Sequence, residues 1–376
     1  SMDSLTLLGS PILPEAIDGV LQSKLESFQL MCDRLKIIDP HDALFLLRHA
    51  FALPKLTYFL RTSPCFKNAE ILERYDKALR VALISILNVG MEDSSWEQCS
   101  LPVRMGGLGI RTASEVSLPA YLSSVSATFE CITPLLPTYL RNEVNPYFTQ
   151  ATFQWSNLLS GEDLPTKKSV QAAWDMPLCK RRLENLLQSA NTYEDKARLK
   201  AVSSEHASDW LNCVPLPSMS LKLSRQSLRI AVALRLGSTI CRLHKCHCKD
   251  KVTKQPGTVD IKGLHGLSCA SAGGKGRIAR HDRANDLIQR ALASANYHCI
   301  LEPTGLLRDK RRPDGFSLYP DTEGKMLAWD YTCRNTLADT YKKHTAVEVG
   351  YAAKEGEKDK YDNYMDLVNE NYYVVP

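Results

Sequence analysis

Two aspartates near the C-terminal end carry the clearest chemistry in this 376-residue chain. Asp314 lies in Arg312-Pro313-Asp314-Gly315, at the start of a short apolar run to Tyr319. Asp330 lies inside a second run, Met326 to Thr332 (MLAWDYT). Both runs read as strands joined by a turn. In the second, alternation puts Leu327, Trp329 and Tyr331 on one face and Met326, Ala328, Asp330 and Thr332 on the other. Asp314 and Asp330 are then expected to converge at one edge of the sheet and to hold Mg²⁺ or Mn²⁺. Two carboxylates, a divalent ion and a lysine suffice for metal-assisted phosphodiester hydrolysis.

The lysine is sought in the helix expected over about 345–370. Val347, Tyr351, Lys354, Lys358 and Tyr361 recur at helical spacing. This stripe points Lys358, then Lys354, toward the acids, and Lys360 elsewhere. Glu302, ending a strand expected over 297–303, is either a third carboxylate or a loop cap. His281 and Asp282 are further candidates for the same site.

A second constellation lies upstream. Cys241, His244, Cys246, His247 and Cys248 crowd into eight residues, and His265 and Cys269 follow a polar loop. Four nitrogen and sulfur ligands from two short clusters is the logic of a structural zinc site. Cys246, Cys248, His265 and Cys269 form the preferred quartet. The single residue between the first two cysteines is tighter than usual, so Cys241, His244 and His281 stay open as replacements. Such a polar loop has little apolar material of its own, and a metal would supply its stability.

Charge singles out the same region. Net charge is only +5, yet between Ser220 and Arg290 there are 15 Lys and Arg against 4 Asp and Glu. A basic segment directly before an acidic pair suits a polyanion, DNA or RNA. Lys245, Lys249, Lys251, Lys254, Arg277, Arg280, Arg283 and Arg312 are the candidate nucleic-acid-binding residues. Composition is otherwise ordinary, 44% apolar and 24% charged with 12 cysteines, which points to a reducing compartment. No signal-like segment opens the chain and no run has membrane-spanning length, so an intracellular protein without a membrane partner is expected.

Amphipathic spacing predicts helices over 17–38, 41–61, 69–88, 112–130, 133–143, 167–190, 191–213 and 219–237. Arg225, Arg229 and Arg235 on the last are open to phosphate or to a half-solvated face. The Gly-rich LPVRMGGLGI (101–110) follows no strand and opens no βαβ unit, so it reads as a tight turn with close backbone packing. A helix over 280–295, packing through Ala284, Leu287, Ile288, Ala291, Leu292 and Ala295, precedes the strands. The expected architecture is an α-helical N-terminal region followed by a small α/β domain with a mixed sheet and a zinc element.

Pro313-Asp314 followed by Asp330-Tyr331-Thr332 resembles the PD-(D/E)XK nuclease superfamily, with Thr332 standing where that pattern places lysine. The ordered set of the CCHC cluster, RHDRAND (280–286), RRPDG, WDYT and a lysine-bearing helix resembles the C-terminal part of a non-LTR retrotransposon reverse transcriptase open reading frame with a restriction-like endonuclease. LLGSPI (7–12), LPKLTYFLR and LPVRMGGLGI are similar to the segment after the polymerase palm; the polymerase's own Tyr-x-Asp-Asp turn is absent. The resemblance implies a thumb-like domain at 1–130, a helical linker at 131–238, a CCHC zinc element at 239–282 and an endonuclease domain at 280–376. It implies a lysine displaced to a later helix, nicking of target DNA to prime reverse transcription, contact with the element's RNA, and nuclear localisation. The alternative is a non-catalytic, zinc-containing DNA- or RNA-binding module derived from such an element.

Overall fold

The helical periodicity of the first 240 residues is realised in a computed structural model that describes residues 6–140, 145–249, 255–269, 275–307, 311–320, 323–370 and 372–376. Helices α1 (Ile17–Leu35), α2 (Pro40–Leu46), α3 (Leu53–Thr62), α4 (Ala69–Leu87), α5 (Asp93–Ser100) and α6 (Ala113–Ile132) come first. Then follow α7 (Pro146–Leu158), α8 (Gln171–Ser189), α9 (Tyr193–Val202), α10 (Asp209–Asn212) and α11 (Arg225–Leu236). A two-stranded ribbon, β1 (Thr6–Leu7) with β2 (Ser10–Pro11), precedes them. Residues 133–143 do not form the expected helix: Thr133–Leu135 and Thr138–Leu140 are single 3₁₀ turns, as Pro134 and Pro137 dictate, and 141–143 lie outside the described residues. The helix expected over 191–213 is split into α9 and α10.

The chain divides into two units, one of residues 1–191 and 202–240, the other of 192–201 and 241–376. The segments expected as thumb and linker thus share the first unit, apart from 192–201, and the zinc element shares the second with the strands.

In the first unit the main core is built from the inner faces of α1 to α4 and α11, with Phe28 stacked on Tyr75 at 4.4 Å. A smaller core surrounds Trp155 and Trp174, which meet edge to face. The Gly-rich motif is backbone packing: a Cβ on Gly107 would lie 2.0 Å from the Leu101 carbonyl oxygen. Arg235, one of the arginines left open to phosphate, is buried. It donates to the carbonyls of Val103, Gly107 and Ala207 and to Ser208 Oγ, so it braces this turn. Arg229 donates to the carbonyls of Asn88 and Ile240.

Buried Asp76 on α4 caps α6 from a distance. Its carboxylate accepts from Ala113 N (2.6 Å), Ser114 N (3.1 Å) and Ser114 Oγ (2.5 Å). The two amides are among the donors a helix leaves unpaired at its N-terminus. Burial nevertheless pushes its pKa up to about 6 against those three bonds. Asp76→Ala is expected to cost roughly 2–4 kcal/mol, a lost cap plus stranded buried donors. The shift in the first unit's chemical-denaturation midpoint measures it.

The second unit holds a hairpin, β3 (His244–Lys249) with β4 (Pro256–Val259), and helices α12 (His265–Ser268) and α13 (Lys275–Ser294). A four-stranded sheet follows, β5 (Cys299–Leu301), β6 (Gly315–Ser317), β7 (Leu327–Trp329) and β8 (Tyr373–Val375), in that spatial order. Pairs β5–β6 and β6–β7 are antiparallel, while β8 returns parallel to β7 after α14 (Lys342–Thr345), α15 (Tyr351–Asn363) and α16 (Met365–Asn369). One sheet face carries Phe316, Ala328 and Val374 against Tyr364 and Leu367. On the other, the Trp329 indole donates to Asn285 of α13. Of the apolar stripe expected on α13, Ala284, Ile288 and Leu292 are partly buried, whereas Leu287, Ala291 and Ala295 are exposed. The helix's polar contacts to the sheet come from His281, Asn285 and Gln289, at i, i+4 and i+8. Helix α9 belongs here through ion pairs of Glu194 with Lys342 and of Asp195 with Lys262.

Candidate functional site

The register of the two central strands brings the acids together. Gly315 pairs with Trp329 and Phe316 with Ala328, so one further step sets Asp314 opposite Asp330. They meet at the end of the two central strands rather than at an outer edge of the sheet. Gly315 is what allows this approach, since a Cβ there would lie 1.9 Å from the Trp329 ring. Asp330 is 4% exposed, and its amide donates to the Val375 carbonyl of β8 at 3.1 Å. Asp314 Oδ2 accepts from the Tyr331 amide at 2.7 Å and lies 3.0 Å from His281 Nε2.

His281, Asp314 and Asp330 each offer a ligand atom within 4.8 Å of the others. His281 therefore belongs to the acid site and not to the cysteines. Burial first, and then the Asp330 carboxylate, push the Asp314 pKa up to about 6, against the downward pull of His281 and the Tyr331 amide. Two carboxylates sharing a half-buried site with one imidazole is a donor set suited to a hard divalent cation. Asn285 fixes the pair from behind: its Nδ2 donates to the Asp314 carbonyl (3.2 Å) while its Oδ1 accepts from Trp329 Nε1 (2.7 Å).

The lysine at the acids is Lys360. Its ammonium donates to Asp330 Oδ1 at 2.5 Å. Lys354 instead pairs with Glu348, and Lys358 is exposed. The stripe read from Val347 and the tyrosines was on the wrong face, because Val347 is 75% exposed and Tyr361 38%. The inward stripe of α15 is Ala352, Gly356 and Lys360, continued by Tyr364. A Cβ on Gly356 would lie 2.9 Å from Thr332 Cγ2, so small residues let the helix close on the strand's end.

Glu302 is not in the cluster. Its amide donates to the Asp314 carbonyl at 2.9 Å, which puts it in register with the acids. A left-handed backbone (φ 46°) accompanies a carboxylate paired with Arg312 at 2.7 Å instead.

Cys246, Cys248, His265 and Cys269 bring four ligand atoms within 4.8 Å of one another. Cys246 Sγ lies 3.6 Å from Cys269 Sγ, and Cys248 Sγ lies 3.2 Å from His265 Nε2. Sulfurs on a tetrahedral zinc at about 2.3 Å stand about 3.8 Å apart, so the quartet fits that ion. The C-x-C spacing works because both cysteines lie on a strand: 246 and 248 turn to one side, and His247 is exposed on the other. Gly257 on the facing strand makes room, since a Cβ there would lie 2.6 Å from Cys248 Sγ. The two thiols share a proton unequally: the Cys248 amide and then its thiol pull the Cys246 pKa down to about 6, while the bond to Cys246 pushes Cys248 up to about 11. Cys241 Sγ donates to the Asp260 carbonyl and His244 Nδ1 lies 2.8 Å from the Arg242 carbonyl, so neither replacement joins the quartet.

Of the basic candidates, Lys245 donates to Thr258, Arg283 pairs with Asp286, Arg280 donates to the Leu267 carbonyl and Arg312 pairs with Glu302. Lys249 is exposed at the end of β3. Lys251, Lys254 and the side chain of Arg277 lie outside the described residues. Among the described residues, no helix is long and apolar enough to cross a membrane.

A helical region followed by a small α/β unit with two metal-competent clusters is the class that fold and site define. No protein-family model matches the chain, and no curated protein does.

Proposed function

We propose that this chain is a metal-dependent DNA endonuclease module of the PD-(D/E)XK type, similar to that of non-LTR retrotransposons, which nicks target DNA to prime reverse transcription. The observation that carries the reading is the meeting of Asp314 and Asp330 with Lys360 and His281 at one strand end. Asp314 and Asp330 would hold Mg²⁺ or Mn²⁺, with His281 beside them. A bound divalent cation supplies charge neutralisation at a phosphodiester and acidifies a water nucleophile. Lys360 answers the lysine missing at Thr332, from a helix after the strands. Its ammonium, held by Asp330, is a fixed positive charge beside the acids where a transferring phosphoryl group gains negative charge. Tyr331 N and His281 orient the Asp314 carboxylate. The zinc element and exposed bases such as Lys245, Lys249 and Arg283 would grip DNA or the element's RNA, with binding that weakens steeply as salt rises. On this reading the module works in the nucleus.

The test is conversion of supercoiled plasmid to open circle with Mg²⁺ or Mn²⁺. The wild-type chain is expected to nick, and Asp314→Ala and Asp330→Ala to lose at least the roughly 10–100-fold that even outer partners of metal ligands contribute. Equal inertness of wild type and variants, with salt-sensitive DNA binding intact, would instead establish the non-catalytic module.

A further inference from the structure

The two metal-competent clusters are joined through consecutive residues of α13. Arg280 Nη2 donates to the Leu267 carbonyl at 2.9 Å. Leu267 lies in α12 between His265 and Cys269, two of the four zinc ligands. Carbonyls of a last helical turn lack partners within the helix, and a guanidinium is well suited to take one up. The next residue, His281, lies with Nε2 3.0 Å from Asp314 Oδ2. One turn further on, buried Asn285 binds the backbone of Asp314 and the indole of Trp329. The start of α13 is thus held from two sides, by the sheet at Asn285 and by the zinc element at Arg280.

We propose that Arg280 is a positioning residue through which zinc sets the geometry of the acid site. With the quartet closed on its metal, α12 presents Leu267 as a fixed acceptor. Arg280 ties the first turns of α13 to it, and His281 is thereby held on Asp314. Without that tie the imidazole keeps its contacts with Asp314 and Tyr331 but is braced from one side alone, by Asn285, and is less firmly held on the acids. The acids themselves stay in place, because strand register and Asn285 hold them. The loss is therefore partial, about tenfold in divalent-ion affinity, the low end of what partners of metal ligands contribute. Coupling of this kind is reciprocal, so Mn²⁺ at the acids tightens zinc by the same factor. The inference rests on the acid-site reading above.

The experiment measures Mn²⁺ binding to the full chain by titration calorimetry and by electron paramagnetic resonance of the free ion, with zinc content assayed separately. Arg280→Met is expected to keep one zinc and the wild-type melting profile yet bind Mn²⁺ about tenfold more weakly. Arg280→Lys, which keeps a donor, is expected to recover most of that affinity. Stripping zinc from the wild type should give the same weakening, and stripping it from Arg280→Met should add nothing. Wild-type Mn²⁺ affinity in Arg280→Met overturns the coupling alone, as does a further loss when that variant is stripped. Identical Mn²⁺ titrations for wild type and Asp314→Asn overturn the acid-site reading and the coupling with it.

Discussion

Chelation of zinc, or Cys269→Ser, is expected to unfold the element formed by β3, β4 and α12 while the first unit keeps its own transition. The reason is how little else holds this element. Its hairpin pairs few residues and is irregular between Lys245 and Lys249, and Leu243 and Ile261 beside it are 67% and 48% exposed. A structural zinc supplies on the order of 10–16 kcal/mol of apparent binding free energy at neutral pH, far beyond what such a hairpin gains from burial. Hydrogen exchange should therefore show the amides of 244–249 and 256–269 losing protection on chelation, with those of α1 to α4 unchanged. Metal analysis should give one zinc per chain. Because the ligand thiols must be ionised, zinc should be released on acidification. A metal-free chain with the same protection would remove zinc from the account of this element.

What the sequence made legible follows from which signals are local. The zinc quartet needs only two short segments whose ligand types are unambiguous. Its unusual C-x-C became intelligible once β3 put Cys246 and Cys248 on one side of a strand. Asp314 and Asp330 were legible because strand alternation and a short connection constrain them. The fourth strand was not, because three residues after a helix carry no periodicity; only its pairing with β7 reveals that Val375 receives the Asp330 amide. The polar face of α13 and the inward face of α15 are hard to read from bulk, because α15 approaches the sheet through small residues and a lysine and leaves Val347 and Tyr361 exposed. On α13 the signal was His281, Asn285 and Gln289 at i, i+4 and i+8. On α15 it was Ala352, Gly356 and Lys360 at the same spacing. Close approach to a polar strand end selects against bulk, so tyrosines and valines were the wrong guide.

That correction makes the lysine the sharpest remaining test. Lys360→Met is expected to lower nicking by roughly 10²–10³-fold, the range set by removing one preorganised charge-stabilising donor. Lys354→Ala and Lys358→Ala should stay near wild type, since one lysine is spent on Glu348 and the other is exposed. Stability alone would not separate these outcomes, because Asp330 is buried and loses its cation in Lys360→Met. Metal affinity does. Lys360 binds Asp330 Oδ1, so the ammonium and a divalent ion draw on one carboxylate. Its removal should leave Mn²⁺ affinity unchanged or tighter while the nicking rate falls. A lysine that merely held the helix in place would lower both together. A lysine that acts on the phosphoryl group drives them apart, and a plasmid assay paired with an Mn²⁺ titration reads that divergence. Should Lys358→Ala produce it instead, the inward face of α15 assigned to Ala352, Gly356 and Lys360 is not the working one.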